Sequence, residues 1–169
     1  VQGVVREQID RHLDWLQEQL RALEEHLQET LRQTPLWCQQ AKLLQSVPGV
    51  GEVLSAVLLA ELPELGQLNS KQNAALVGLA PLNRDSGQFR GRRMSWGGRA
   101  RVRTARYMPT LVATRHNPVI IVFYERLLAQ GKQKKVALTA CMRKLLVILN
   151  AIVKSSQPWQ PQWQGGLDN

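Results

Sequence analysis

Residues 37–62 read WCQQAKLLQSVPGVGEVLSAVLLAEL. Two apolar-periodic runs flank the breaker Pro48-Gly49-Val50-Gly51, and their spacing predicts helices over about 37–46 and 52–62 joined by a tight turn. Val53, Leu54, Val57, Leu58 and Leu62 recur at helical intervals on the second run. Pro63 and Gly66 stop it. Leu and Ala dominate the apolar residues, and aromatics are only 5% of the chain. A mainly α fold follows.

The run Ser46-Val-Pro-Gly-Val-Gly51 between two helices has the form of a helix-hairpin-helix. Gly49 and Gly51 would let the backbone turn and present amides to a phosphate oxygen. A plain turn between core helices is the other reading.

Toward the N-terminus, Ile9, Leu13, Leu16, Leu20, Leu23 and Leu27 step by alternating fours and threes. That is a heptad seam on one long helix, a coiled coil over 1–34 that ends at Thr34-Pro35. It pairs subunits or packs on its own domain. The sequence opens on Val1 inside this pattern, so we expect part of a longer protein.

Toward the C-terminus, Asn69 or Ser70 caps a helix over 70–77, and Gly78-Leu79-Ala80-Pro81 breaks it. Residues 82–98 are glycine-rich, with room for a short β-ribbon. A helix over 99–115 should kink at Pro109. Asn117-Pro118 caps the next, which ends before Gly131. The last helix covers 134–154. We expect a helical domain over 35–156 and a flexible tail over 157–169.

The formal net charge is +9. Residues 1–35 carry four basic against seven acidic side chains, a net of −3; residues 36–169 carry 18 against six, a net of +12. A polyanion is the implied partner of the second part. Cys38 and Cys141 form no C-x-x-C pair, and the three histidines are scattered, so no metal-ligand spacing exists. Free thiols point to a reduced, cytoplasmic setting. The apolar runs read as shorter than the roughly 18 residues of a membrane span, so no membrane partner is expected.

Between Arg84 and Arg106 lie eight arginines and one acid, Asp85. Guanidinium forks suit bidentate phosphate contact, and the alternative is a solvated patch. We expect Arg84, Arg90, Arg92, Arg93, Arg99, Arg101 and Arg103 on nucleic acid, with Ser95 capping a helix or bonding a phosphate. Asp85-Ser86-Gly87 sits among them. By composition alone such a triplet is a turn. Flanking cations could also stabilise a serine alkoxide and the charge growing on a phosphate.

Taken in order, Leu44-Gln-Ser-Val-Pro-Gly-Val-Gly51, Ala75-Leu-Val-Gly-Leu-Ala-Pro81, Asp85-Ser-Gly87, Arg90-Gly91, Arg93-Met-Ser-Trp-Gly97, Arg106-Tyr-Met-Pro-Thr-Leu-Val-Ala113 and Met142-Arg-Lys-Leu145 resemble one family. It is the C-terminal domain of the IS110/IS116/IS902-type insertion-sequence transposases, related to Piv DNA invertases and bridge-RNA-guided recombinases. Residues 40–158 carry the resemblance. It implies that Ser86 is the catalytic nucleophile, cutting and rejoining double-stranded DNA at insertion-sequence ends and targets through a phosphoserine. It also implies a RuvC-like acidic domain that binds Mg²⁺ and is absent from this chain, a guide RNA in the RNA-guided branch, and a homodimer or tetramer near the bacterial nucleoid. Alone, the chain would bind DNA without cutting it. Two departures are Trp96, where the family pattern carries Lys, and Arg99, where it often carries Asn or His. The reading from another class is a non-catalytic module for branched DNA or structured RNA, and a third is a domain that only dimerises.

Overall fold

The computed structural model describes residues 2–79, 81–82, 94–95 and 98–161. Its elements run α1 (Gln2–Gln33), α2 (Pro35–Gln45), α3 (Glu52–Glu61), α4 (Ser70–Leu76), β1 (Pro81–Leu82), β2 (Met94–Ser95), α5 (Ala100–Ala105), α6 (Tyr107–His116), α7 (Pro118–Ala129) and α8 (Lys134–Ser155). The mainly α class expected from composition is the one found. Two compact units divide the chain, Val1–Cys38 and Gln39–Asn169.

In the first unit, α1 is one uninterrupted helix, ended at Thr34 before Pro35. Its heptad seam faces outward: Leu16 is 45% exposed and Leu23 is 67% exposed. Local pairs such as Arg11–Glu7 at 3.0 Å support it, but each contributes only about 0.2–0.5 kcal/mol.

The second unit is built on α8, which packs against α4, α6 and α7. Cys141, Leu145, Leu146, Ile148, Leu149 and Ile152 of α8 join Leu44, Leu54, Leu58, Val102 and Ile120 in one core. Burying each large aliphatic side chain stabilises by roughly 1.5–3 kcal/mol. Lys134–Ser155 is long and apolar enough to cross a bilayer by length and composition, contrary to the expectation from the sequence, and 56% of its apolar window is buried inside the fold. Its apolar length is that of a core helix. Cys38 and Cys141 are both free, and burial pushes the Cys141 thiol up to about 11.

The breaker between α2 and α3 forms a turn of the type II kind. Val50 N–H donates to Val47 O at 3.0 Å, Pro48 takes the second position, and Gly49 has φ +98°. Gly49 also lies against α6, where an added Cβ would come within 2.8 Å of Ala113. Asn117 caps α7 by accepting from Val119 and Ile120 N–H. Its Nδ2 donates to Pro48 O at 3.4 Å, tying that cap to the turn.

A buried carboxamide joins α8 to the loop after α3. Asn150 Oδ1 accepts from Gly66 N–H at 2.7 Å and from Asn73 Nδ2 at 2.6 Å, and Asn150 Nδ2 donates to Leu68 O at 3.1 Å. The expected loose tail is pinned at its start. Trp159 packs on the core, and its backbone N–H donates to Ser46 Oγ at 2.8 Å. Residues 162–169 lie outside the described residues.

The kink expected at Pro109 is a full break. Proline's ring clashes with the carbonyl four residues earlier, here that of Ala105, and α5 ends at Ala105. Arg106 forms the joint and is 0% exposed. Its Nε donates to Val102 O at 3.1 Å. Among the described residues, Nη1, Nη2 and the Thr110 hydroxyl one turn later are buried without a partner. Burial, followed by the nearby charge of Arg103, pushes the guanidinium down to about 10. A buried cation so poorly paired destabilises its surroundings. Replacing it by a hydrophobe, Arg106→Leu, is expected to stabilise by about 2 kcal/mol and raise Tm by roughly 5 °C in thermal unfolding. A lowered Tm contradicts this.

Candidate nucleic-acid interface

The segment carrying the candidate serine joins α4 to α5 in sequence. α4 closes with Gly78 N–H on Ala75 O at 3.0 Å and Leu79 N–H on Ala74 O at 2.8 Å, a Schellman cap. Gly98, at φ +71°, packs directly on this cap: an added Cβ would strike Gly78 N and lie 2.6 Å from Leu76 O. Only glycine fits there on both counts. Arg99 N–H then takes the Leu76 carbonyl at 3.0 Å. Between these contacts β1 pairs antiparallel with β2, Pro81 opposite Ser95 and Leu82 opposite Met94. This is the ribbon expected within 82–98. A pair this short is marginal by itself, and the packed exit and entry backbones hold its base.

The base is locked further by Arg99. Its Nη1 donates to Glu64 Oε2 and its Nη2 to Glu64 Oε1, both at 2.7 Å. Nη1 also reaches Glu61 O at 2.6 Å. Such forked, charge-assisted bonds fix orientation as well as distance. The hydrogen bond from Arg99, aided by a backbone bond, holds the Glu64 carboxyl down at about 2. Glu64 in return raises the Arg99 guanidinium.

The sequence-predicted residues divide accordingly. Arg99, expected on phosphate, is engaged inside the fold by Glu64 and Glu61. Arg101 meets Glu61 Oε1 at 3.1 Å with 85% of its side chain exposed, a loose surface pair of small worth. Arg103 lies half-buried on α5. Gly49 turns inward against Ala113, whereas a Cβ on Gly51 would meet nothing within 4 Å. Gly51 is the N-cap of α3, without a side-chain bond, and Glu52 already places a negative charge in that first turn. Ser86, Arg84, Arg90, Arg92 and Arg93 lie outside the described residues, and of Ser95 only the backbone pairing is described. Glu61 and Glu64 carry no motif that singles them out in the sequence. Their partners stand 35 to 40 positions away, beyond any local pattern.

A profile described as the Transposase IS116/IS110/IS902 family matches residues 41–125, from α2 to α7. The chain belongs to the IS116/IS110/IS902 transposase family. Its ordered motifs had pointed to the same family. The matched stretch holds the α2–α3 turn, the Arg99–Glu64 lock and the segment between the paired strands. The chain is similar to the pilin gene-inverting protein of Moraxella bovis, at 28% identity over 92% of this chain and 49% of that protein. The corresponding Moraxella lacunata protein matches at the same identity and coverage. It is also similar to an uncharacterized 42 kDa protein of insertion element IS900 from Mycobacterium paratuberculosis, at 32% identity over 72% of this chain and 31% of that protein. The chain thus spans about half the length of the pilin gene-inverting relatives.

The lock carries a pH signature. A depressed carboxyl adds stability that is complete above its ordinary 4.5 and is lost as pH falls toward about 2. In thermal unfolding between those values, the family chain is expected to lose more Tm than its Glu64→Gln variant. Equal losses contradict an ion-paired Glu64.

Proposed function

We propose that this chain is the DNA-handling, nucleophile-bearing part of a site-specific DNA recombinase of the transposase type. Family membership over residues 41–125 is the observation that carries it. The name of the Moraxella relatives, pilin gene-inverting protein, agrees with DNA rearrangement as the activity. The clamped ribbon base suits a loop that must meet DNA in one geometry.

In this reading, Ser86 Oγ attacks a backbone phosphorus at the recombination site. An Oγ–P bond forms, the bond from phosphorus to one bridging oxygen breaks, and the proton lost from Oγ is balanced by one taken up on the released strand oxygen, which leaves as a hydroxyl. Attack by a hydroxyl of the partner strand then reverses these changes and rejoins the ends. Arg84, Arg90, Arg92 and Arg93 hold the phosphate and its growing charge. Arg101, Arg103 and Ser95 contact the flanking backbone, and the open Gly51 allows close approach beside α3. Arg99 positions the loop through Glu64. A divalent metal would stabilise the leaving oxygen, but the described carboxylates of this chain form no cluster to hold one. Those ligands belong to the acidic domain that the family resemblance implies. The outward seam of α1 pairs with another copy. The setting is the bacterial cytoplasm, at the nucleoid.

Covalent trapping tests this reading. The full protein with its acidic domain, Mg²⁺ and end-labelled recombination-site DNA, with and without a guide RNA, is quenched and run on a denaturing gel. A protein–DNA adduct is expected, and it should disappear in Ser86→Ala while DNA binding persists. Adduct retained in Ser86→Ala contradicts the serine nucleophile. Salt-sensitive binding with no adduct from the unaltered protein makes the chain a non-catalytic binding module.

A further inference from the structure

From 126 to 144 the chain carries six cations, Arg126, Lys132, Lys134, Lys135, Arg143 and Lys144, and no acid. These residues form the hairpin end of α7 and α8, well away in sequence from the arginine-rich stretch. Two of them meet on one ring. Arg126 Cζ lies 5.2 Å from the centroid of Phe123, and Lys144 Nζ lies 4.5 Å from it. The ring attracts each cation but leaves their mutual repulsion in place. Partial burial, with that repulsion added, lowers the Lys144 ammonium from its ordinary value. Among the described residues neither cation forms an ion pair with a carboxylate, whereas Arg11, Arg99 and Arg101 each do. α8 opens with Lys134 and Lys135 at the positive end of its dipole and has no acid in its first turn, which strengthens the same field. Lys132, Lys134 and Lys135 are all exposed.

The contrast with α5 is what gives the inference. There the fold supplies Glu61 and Glu64 to its arginines; on the α7–α8 hairpin the one acid, exposed Glu125 beside Arg126, is not among the carboxylates that form ion pairs with the described residues, and like charges are held together. We infer that the α7–α8 hairpin, with the Arg126–Phe123–Lys144 cluster at its centre and Lys132–Lys135 at its tip, is a second phosphodiester-binding surface. It contacts the nucleic-acid backbone outside the Ser86 loop. The inference rests on the nucleic-acid reading above and adds a second footprint to it. Such contacts set register and orientation without reading bases. DNA and guide RNA offer the same phosphodiester chemistry, so each is a separate arm of the test.

The 169-residue chain is titrated with a mixed-sequence DNA duplex and, separately, with an RNA hairpin over a range of salt. Each phosphate contact contributes roughly 0.9 to the slope of log affinity against log salt on duplex DNA. The Arg126→Gln/Lys144→Gln variant is expected to bind about tenfold more weakly, with a slope shallower by about 2. The exposed pair Lys132→Gln/Lys135→Gln reads the same surface without touching Phe123, and should also flatten the slope. The charge-preserving Arg126→Lys/Lys144→Arg variant should keep it. Arg11→Gln on α1 is the control. A shallower slope on duplex alone assigns the surface to DNA, and on the hairpin alone to RNA. Slopes unchanged in both neutral variants, while the parent still binds with strong salt dependence, overturn the second surface and leave the proposed function standing. A parent chain that binds neither probe overturns both.

Discussion

The forked ion pair between Arg99 and Glu64 is the contact on which the candidate site depends. Glu64 sits on the loop after α3, and that loop is fixed by Asn150 of α8 through Gly66 and Leu68. From the other side, Arg99 follows Gly98, which is packed against the cap of α4. The core helix therefore sets the loop, the loop sets Glu64, and Glu64 sets the point where the chain re-enters after β2. Each step is short and directional, so a displacement at Asn150 would be passed on to the ribbon base. A reactive loop needs this kind of support, because positional error of about 1 Å can cost 10²-fold in rate.

Much of the scaffold was legible because its signals are local. Pro48 and Gly49 announce their turn by φ preference alone, Asn117-Pro118 caps α7 as read, and Pro109 breaks its helix for a steric reason written in the sequence. The lock was not legible. Arg99 reads as one more arginine of a basic stretch, and only the fold brings Glu64 to it. Sequence reasoning read Gly49 for its amide and not for its close packing, which places its Cα against Ala113 of α6. It missed the Phe123 cluster because Phe123 and Lys144 lie on different helices. The apolar length of α8 was under-read: its scattered lysines and Asn150 interrupt the run that the eye follows, while its average stays apolar.

The charges fall into three groups with different physical fates. α1 is acidic and carries its own seam. Arg99 is neutralised within the fold and Arg101 loosely so. The α7–α8 hairpin is left positive. A chain that neutralises the cations nearest its loop base, yet leaves others bare, separates structural arginines from those free to meet a polyanion. Arg106 belongs to neither group: it is enclosed at the α5–α6 joint, where its terminal nitrogens find no partner among the described residues, and nothing in the structure gives it a task.

The most direct measurement is the yield of covalent protein–DNA adduct in Glu64→Gln, with DNA affinity followed in parallel. Glu64 is held by Arg99, and as a carboxylate it is no phosphate ligand in the proposed reading. With the lock broken, affinity should stay within about twofold and adduct yield should fall by about tenfold or more. Unchanged yield would contradict a positioning role for the lock. Stronger DNA binding, as from a freed Arg99, would return that arginine to the phosphate-contacting set.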